Sequence, residues 1–328
     1  MADSLAESIR LFGRTLAISE GLAMAFDPEV LLPIQYFATG PIDNERARLA
    51  CRNEQQDDDV LKFADLAHTR PPVAALSVDD PEARHSRRWK ELNVPRGRRH
   101  ELRAAMVDAR GWCWGAVCLY RQGPTRFSPA DLDAVAQILP GRSSHLAVAM
   151  VTARAPGSPA EATSMIVGES GELLEVADGA RRWIEAASGG DPLDRVGMLL
   201  AAIAARLRRT GAAVVRVRMR SPGGSWTTLL AERLTAQGGS CVRTSVVIMP
   251  ADSGQLRPLL VAAFDLSPRE ADVVGLVLRG LDSRSISAHL FISVNTVQDH
   301  LKSVFAKTGV RSRRQLAALF TREPDPVP

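Results

Sequence analysis

The chain has 328 residues, of which 45% are apolar and 24% charged, with a net charge of +4. That length gives two domains or three small ones, and that balance excludes collagen-like, low-complexity and fully disordered chains. No apolar run approaches the ~18–20 residues of a membrane span. The opening decapeptide Met1 to Arg10 lacks the apolar block of a secretory signal. The four cysteines Cys51, Cys113, Cys118 and Cys241 are too few for a disulfide framework, so a cytoplasmic setting is expected.

Charge is uneven along the chain: residues 1–60 carry a net −6 and residues 61–110 a net +4. Residues 1–50 match no pattern that assigns them a fold. Asp57-Asp58-Asp59 lacks the apolar strand that precedes the acceptor aspartate of a phosphorylated receiver, because Glu54-Gln-Gln56 is polar; it reads as a solvated helix start. Arg96-Gly-Arg-Arg-His100, with Arg87 and Arg88 upstream, reads as a solvated loop rather than a second nucleic-acid patch. Trp112 to Tyr120 is a predicted strand, closed by the turn Arg121-Gln-Gly-Pro124. Strict alternation along it would place Trp112, Trp114, Ala116 and Cys118 on one face and Cys113, Gly115 and Val117 on the other, so core packing outranks redox chemistry. Ser128-Pro129 opens a helix that Pro140-Gly141 is expected to break, with a second helix running through Leu146 and Met150.

Two prolines and a glycine in Ala153 to Ala160 mark a linker. Beyond it, strands are predicted at Met165–Gly168 and Glu172–Val176, then helices at Gly179–Ala187 and Pro192–Arg209. Three more strands follow at Ala213–Arg220, Ser225–Leu234 and Cys241–Met249, with Ser221-Pro-Gly-Gly224 as a hairpin loop. This order is an α+β pattern with a five-stranded antiparallel sheet. A second break at Met249 to Gly254 leaves three units: 1–153, 161–250 and 255–321.

The third unit is the most informative. Ser267 is placed to cap a helix with Pro268 at its first position and Glu270 in its first turn; Gly280 ends it. Ser283 starts a short second helix, Phe291-Ile292-Ser293 makes the turn, and Ser293 caps a third helix with Val297, Leu301, Val304 and Phe305 inward. Ser312 caps a fourth with Leu316, Ala317 and Phe320 inward. A short and a long helix joined by a three-residue turn is the helix-turn-helix plan, whose second helix enters the major groove of DNA. The outward face of the third helix carries Asn295, Thr296, Gln298, Asp299, Lys302 and Lys307, groups able to bond base edges and phosphates. Residues 264–320 carry a net +3, with Arg311, Arg313 and Arg314 clustered beyond that helix as phosphate contacts, and His300 is a phosphate or packing group.

These residues resemble the LuxR-type (GerE-like) DNA-binding domain. The resemblance rests on Leu266-Ser-Pro-Arg-Glu270, Gly280, Ile286-Ser287, Ile292-Ser293 with Thr296-Val297 and His300, and Lys307 with Gly309-Val310 and Ser312-Arg313. It implies four helices, major-groove insertion of the third and dimerisation through the fourth. It implies base reading by Gln298, Asp299 and Lys302; with the outward face and the basic cluster, the expected DNA-facing set is Ser293, Asn295, Thr296, Val297, Gln298, Asp299, His300, Lys302, Lys307, Arg311, Arg313 and Arg314. Relatives usually carry Lys where this chain has Gln298, which can pair bidentately with adenine, so the operator should differ.

Residues 161–250 resemble a PAS domain in Gly171 to Val176 and Ala180 to Ile184, and 1–153 a GAF-type sensor in Gly111 to Tyr120 and Ser128 to Leu132. The whole chain thus looks like an actinobacterial regulator: antiparallel-sheet sensors followed by an all-α helix-turn-helix domain. No catalytic constellation, phosphate loop or zinc spacing stands out, and the six histidines are scattered. Flavin- and haem-linked PAS domains need a specific Cys or His, and 161–250 holds only Cys241, so no cofactor is expected. The expected partners are double-stranded DNA and a second copy of the chain, with RNA polymerase and a small-molecule or protein effector as further candidates and no membrane. The alternative is a sensor or adaptor whose helix-turn-helix contacts proteins and binds DNA weakly.

Overall fold

The computed structural model describes residues 1–152, 161–188, 194–220, 226–235 and 242–321. The chain forms two compact units, Met1–Pro250 and Ala251–Pro328. The expected linker at 153–160, the loop Ser221-Pro-Gly-Gly224 and Cys241 lie outside the described residues.

Residues 1–50 supply helix α1 (Ala2–Thr15), strands β1 (Glu20–Asp27) and β2 (Leu32–Ala38), and the start of α2 (Asn44–Gln55). α1 buries Leu5, Ile9 and Phe12 at helical spacing, and Asp43 caps α2 by accepting from the Arg46 amide at 2.8 Å. The chain continues through α3 (Phe63–Leu66), β3 (Val73–Ser77), α4 (Pro81–His85), a π-helical turn at Trp89–Asn93, β4 (His100–Val107), β5 (Cys113–Arg121) and α5 (Pro129–Thr152). The strands form an antiparallel sheet in the order β2-β1-β5-β4-β3. α1 and α5 pack on this sheet. Gly115 permits that approach, since a Cβ there would collide with the Met24 carbonyl oxygen and the Leu146 side chain. A separate core gathers Phe26, Phe63, Ala105, Ala116, Cys118 and Tyr120.

Several local features depart from the sequence pattern. Pro140-Gly141 does not break α5, which is one 24-residue helix. Pro140 is exposed and forfeits one backbone bond, while Val135, Leu139, Leu146 and Met150 stay buried on both sides of it. Cys113 and Cys118 do not take opposite faces. The pairing of β5 with β4 shifts between Met106 and Val107, and the bulge brings both free thiols into one core. Burial pushes the Cys113 thiol up to about 12 and the Cys118 thiol up to about 11, so neither is a nucleophile at neutral pH.

Asp57-Asp58-Asp59 is a tethered loop, not a helix start. Asp59 accepts from Asn53 at 2.6 Å and from the Arg88 amide at 2.9 Å, and Asp57 pairs with Arg87 at 3.5 Å. Nor is the arginine-rich stretch a solvated loop. Arg88 is buried against Glu101 at 3.1 Å, Arg98 lies 3.7 Å over the Tyr120 ring and pairs with Glu20, and His100 opens β4. Their partners lie far away in sequence, which is why local pattern misplaced them.

The second sheet comprises β6 (Thr163–Val167), β7 (Leu173–Val176), β8 (Val214–Arg220), β9 (Trp226–Thr235) and β10 (Val242–Pro250), with helices α6 (Asp178–Ser188) and α7 (Arg195–Thr210) between β7 and β8. It is the predicted five-stranded antiparallel sheet, ordered β7-β6-β10-β9-β8. Polar clamps join it to the first sheet. Asp27 and Arg218, both buried, meet through Nε at 3.0 Å and Nη2 at 2.8 Å, and the Arg218 amide also donates to Asp27 at 2.7 Å. Arg48 pairs with Asp194 at 2.7 Å, which ties α2 to the N-terminus of α7.

The C-terminal unit is all helix: α8 (Ser253–Ala263), α9 (Pro268–Leu278), α10 (Ser283–Leu290), α11 (Val294–Thr308) and α12 (Arg313–Thr321). The sequence reading has four helices here, and α8 is a fifth. Pro258 obscures it, yet the proline sits only in the second turn, and burial of Leu256, Leu259 and Leu260 offsets the lost backbone bond.

Candidate nucleic-acid interface

The geometry of this unit starts with its helix ends. Ser267 and Glu270 form a reciprocal capping box at α9, with the Ser267 amide 2.6 Å from the Glu270 carboxylate. Gly280 follows α9 at φ +82°, a left-handed conformation that favours glycine. Asp282, not Ser283, caps α10: its carboxylate accepts from the Ser285 amide at 2.7 Å, and Ser283 becomes the first helical residue. Ser293 caps α11 from the Thr296 amide at 3.0 Å, and Gly309 closes it at φ +73°. Ser312 accepts from the Gln315 amide at 3.1 Å at the start of α12.

Packing fixes α11 in rotation. Val297, Leu301 and Val304 are buried where α11 packs on α9 and α10, whose Val273 and Ile286 are buried as well. A polar tie adds to this grip. Glu270 of α9 accepts from Ser303 at 2.6 Å and from Lys307 at 2.8 Å, both on α11, and Lys307 also donates to the Asp265 carbonyl at 2.8 Å. Burial works against ionisation of Glu270, but the bonds from Lys307, Ser303 and Ser267 outweigh it and bring its carboxyl down to about 2. On α12, Arg313 donates to the Leu281 carbonyl at 2.8 Å and to Ser283 Oγ at 2.6 Å, which holds the start of α10.

The twelve residues singled out from sequence therefore take different positions. Asn295, Gln298, Asp299 and Lys302 are exposed on α11, as are Arg311 and Arg314 around α12. Ser293 is exposed and shares a 2.9 Å hydroxyl bond with Thr296, which is half-buried, as is His300. Val297 is wholly buried and is a core residue. Lys307 and Arg313 are engaged in the frame just described. Lys302 lies 3.3 Å from Asp299, so the central charges of the exposed strip largely offset each other.

Sequence reading missed two exposed apolar neighbours of this strip. Phe291, 94% exposed at φ +55°, and Val294, 40% exposed, flank the start of α11. An aromatic residue in the turn was the available signal. The framing role of Glu270 and Ser303 was missed as well, because it depends on a contact between residues 33 apart. Among the described residues no cluster of His, Cys, Asp or Glu is placed to hold a metal. No described helix is long and apolar enough to cross a membrane.

Comparison with known proteins places this geometry. Residues 265–320 match the family model described as bacterial regulatory proteins, luxR family. An HTH-type transcriptional regulator of Mycobacterium bovis is 48% identical over 61 residues, 19% of this chain and 7% of that protein. The monoamine regulon transcriptional regulator of Klebsiella aerogenes is 40% identical over 53 residues, 16% of this chain and 23% of that protein. The matches thus span a small part of each of these relatives. Among solved structures, the Vibrio cholerae VqmA dimer without its target DNA, described with LuxR-type receptors, is 18% identical. It covers 49% of this chain and 81% of VqmA with a TM-score of 0.24, too low to transfer its assembly. On the family match and the capped helix pair together, the C-terminal unit carries a helix-turn-helix domain of the luxR family of bacterial regulatory proteins.

Proposed function

We propose that this protein is a DNA-binding transcriptional regulator in which α11 reads the major groove. The carrying observation is the exposed strip Asn295, Gln298, Asp299 and Lys302, mounted on a helix whose rotation is fixed by buried Val297, Leu301 and Val304. Amide, carboxylate and ammonium groups at successive turns complement base edges. Arg311 and Arg314 supply phosphate contacts beside them. The protein acts as a dimer on half-sites about one helical turn, ~10 bp, apart. Residues 1–153 serve as a GAF-like sensor and 161–250 as a PAS-like one, which together bias DNA binding in response to a small molecule or a protein. The two antiparallel sheets with flanking helices support this division.

The test is selection of binding sites from a random DNA library by the full-length protein and by Gln298→Lys. If Gln298 reads a base, the preferred base changes at one position per half-site, and the remainder of the motif persists. An identical motif from both proteins would remove Gln298 from base recognition. A second reading has its own support: Phe291 and Val294 are apolar and exposed, and Asp299 offsets Lys302. On that reading the helix pair docks a protein. Salt separates the two, because counterion release makes DNA affinity fall steeply with salt and apolar docking does not.

A further inference from the structure

Between the first sheet and α7 lies a cavity of about 250 Å³. Its floor is the sheet face bearing Leu22, Met24 and Phe26 of β1; α2 forms one wall, and Met198, Leu199 and Ala202 of α7 close it from the second sheet's side. Neither sheet layer encloses it alone. Most of the lining is apolar, and the volume holds a molecule of on the order of ten non-hydrogen atoms.

The polar end is built from buried groups. Glu101 is fully buried, and its Oε2 accepts from Arg88 at 3.1 Å and from Asn93 at 3.3 Å. Its Oε1 has no hydrogen-bond partner among the described residues. Two residues along the same strand, Arg103 is 1% exposed, donates through Nη2 to Glu54 and stacks 3.9 Å over the Phe63 ring. Its Nε and Nη1 likewise have no partner among the described residues. Residues i and i+2 of a strand share a face, and both side chains line the cavity with an acceptor and donors that no described residue satisfies. At this end both charges are already compensated, Glu101 by Arg88 and Arg103 by Glu54, so a net charge on the part of a ligand that lies here would be desolvated without a new counter-ion; Lys62, Arg206 and Arg209 line the cavity elsewhere.

We propose that this cavity is a ligand site shared by the two sheet layers, and that it takes a small uncharged molecule with an apolar body and an amide-type edge. The edge's N–H donates to Glu101 Oε1 and its carbonyl oxygen accepts from Arg103. The apolar body lies against Met24, Met198 and Leu199, so binding fastens α7 to the first sheet. This rests on reading the N-terminal unit as a sensor, and it names the chemistry sensed.

Full-length protein is titrated with benzamide, benzoate and ethylbenzene, with binding read by calorimetry and by the shift in Tm. The amide should bind roughly ten-fold more tightly than either analogue, since each lacks one or both matched hydrogen bonds. Ala202→Met, which fills the α7 side of the cavity, should weaken benzamide binding by at least that factor. If that variant does not fold, Ala50→Met on the α2 wall is read in its place. Equal or tighter binding of benzoate or ethylbenzene, no benzamide binding, or unchanged affinity in the folded variant overturns the proposal. The readout is binding itself. A failure here leaves the regulator reading standing, and absence of a DNA motif leaves this site standing.

Discussion

The two units hold their charges in opposite ways. In the C-terminal unit most charged side chains lie on the surface, and the single well-buried carboxylate, among the described residues, is Glu270, tied to Ser267, Ser303 and Lys307. In the N-terminal unit, ions are built into the interior: Asp27 with Arg218, Glu101 with Arg88, and Arg103 with Glu54. The first arrangement gives a rigid frame with a chemically open outer strip. The second gives a core in which polar groups join the two sheets and face a cavity. Surface chemistry suits recognition of a large, charged, hydrated partner, and interior chemistry suits a small molecule withdrawn from water.

Substitutions can break this contrast in descending order of effect. Asp27→Ala removes the buried carboxylate that faces Arg218 and leaves it the Glu29 carboxylate at 2.6 Å, so unfolding by urea should show a loss of about 3 kcal/mol, the lower end for a broken buried pair. Replacing both partners, Asp27→Leu with Arg218→Met, should recover most of that. If the single and double variants are equally unstable, packing rather than charge joins the sheets there.

The corresponding change in the C-terminal unit is smaller. Glu270→Gln should cost about 1–3 kcal/mol, because it weakens charge-assisted bonds to Lys307 and Ser303. Its pH dependence has a definite sign. The Glu270 carboxyl in the folded protein is depressed to about 2 from an ordinary value of 4.5. Its stabilisation is therefore complete above pH ~4.5 and fades as pH falls from there toward 2. Urea midpoints of wild type and Glu270→Gln should differ at pH 6 and converge near pH 2; a constant difference would contradict the ion-paired frame.

On the outer strip, Lys302→Ala should weaken operator binding by about 1–3 kcal/mol with an altered base preference if Lys302 reads a base. A uniform loss across sequences would make it a phosphate contact instead. Asp299→Ala removes the partner 3.3 Å from Lys302 and should raise affinity for all DNA, with a steeper salt dependence. The smallest effect belongs to a cap. Asp282→Ala should cost about 1 kcal/mol, and Ser283→Ala less, because Asp282 holds the Ser285 amide.

The same contrast explains what was legible in the sequence. The C-terminal helices could be read almost residue by residue because their signals are local: Ser267, Ser293 and Ser312 cap within three residues, and Gly280 and Gly309 stop helices where φ is positive. The second sheet was legible because its strands alternate and are bounded by turns. The first fifty residues were opaque, since β1 pairs with β5 about ninety-five residues on, and nothing local announces that. The arginines around residue 98 were misread for the same reason, their partners being Glu20, Glu101 and Tyr120. One bulge between Met106 and Val107 was enough to reverse the face of Cys113. At the recognition strip, residue identities were legible, but Lys307, Arg313 and Val297 could be sorted into the frame only from tertiary contacts.

The most direct test of the central claim is the salt dependence of DNA affinity for the full-length protein on its selected site, compared with Arg311→Ala and Arg314→Ala. Log affinity should fall linearly with log salt, and each arginine removed should lower that slope by about one phosphate contact. A flat salt dependence, unchanged in both variants, would contradict groove recognition by α11 and move the exposed Phe291 surface to the centre of the account.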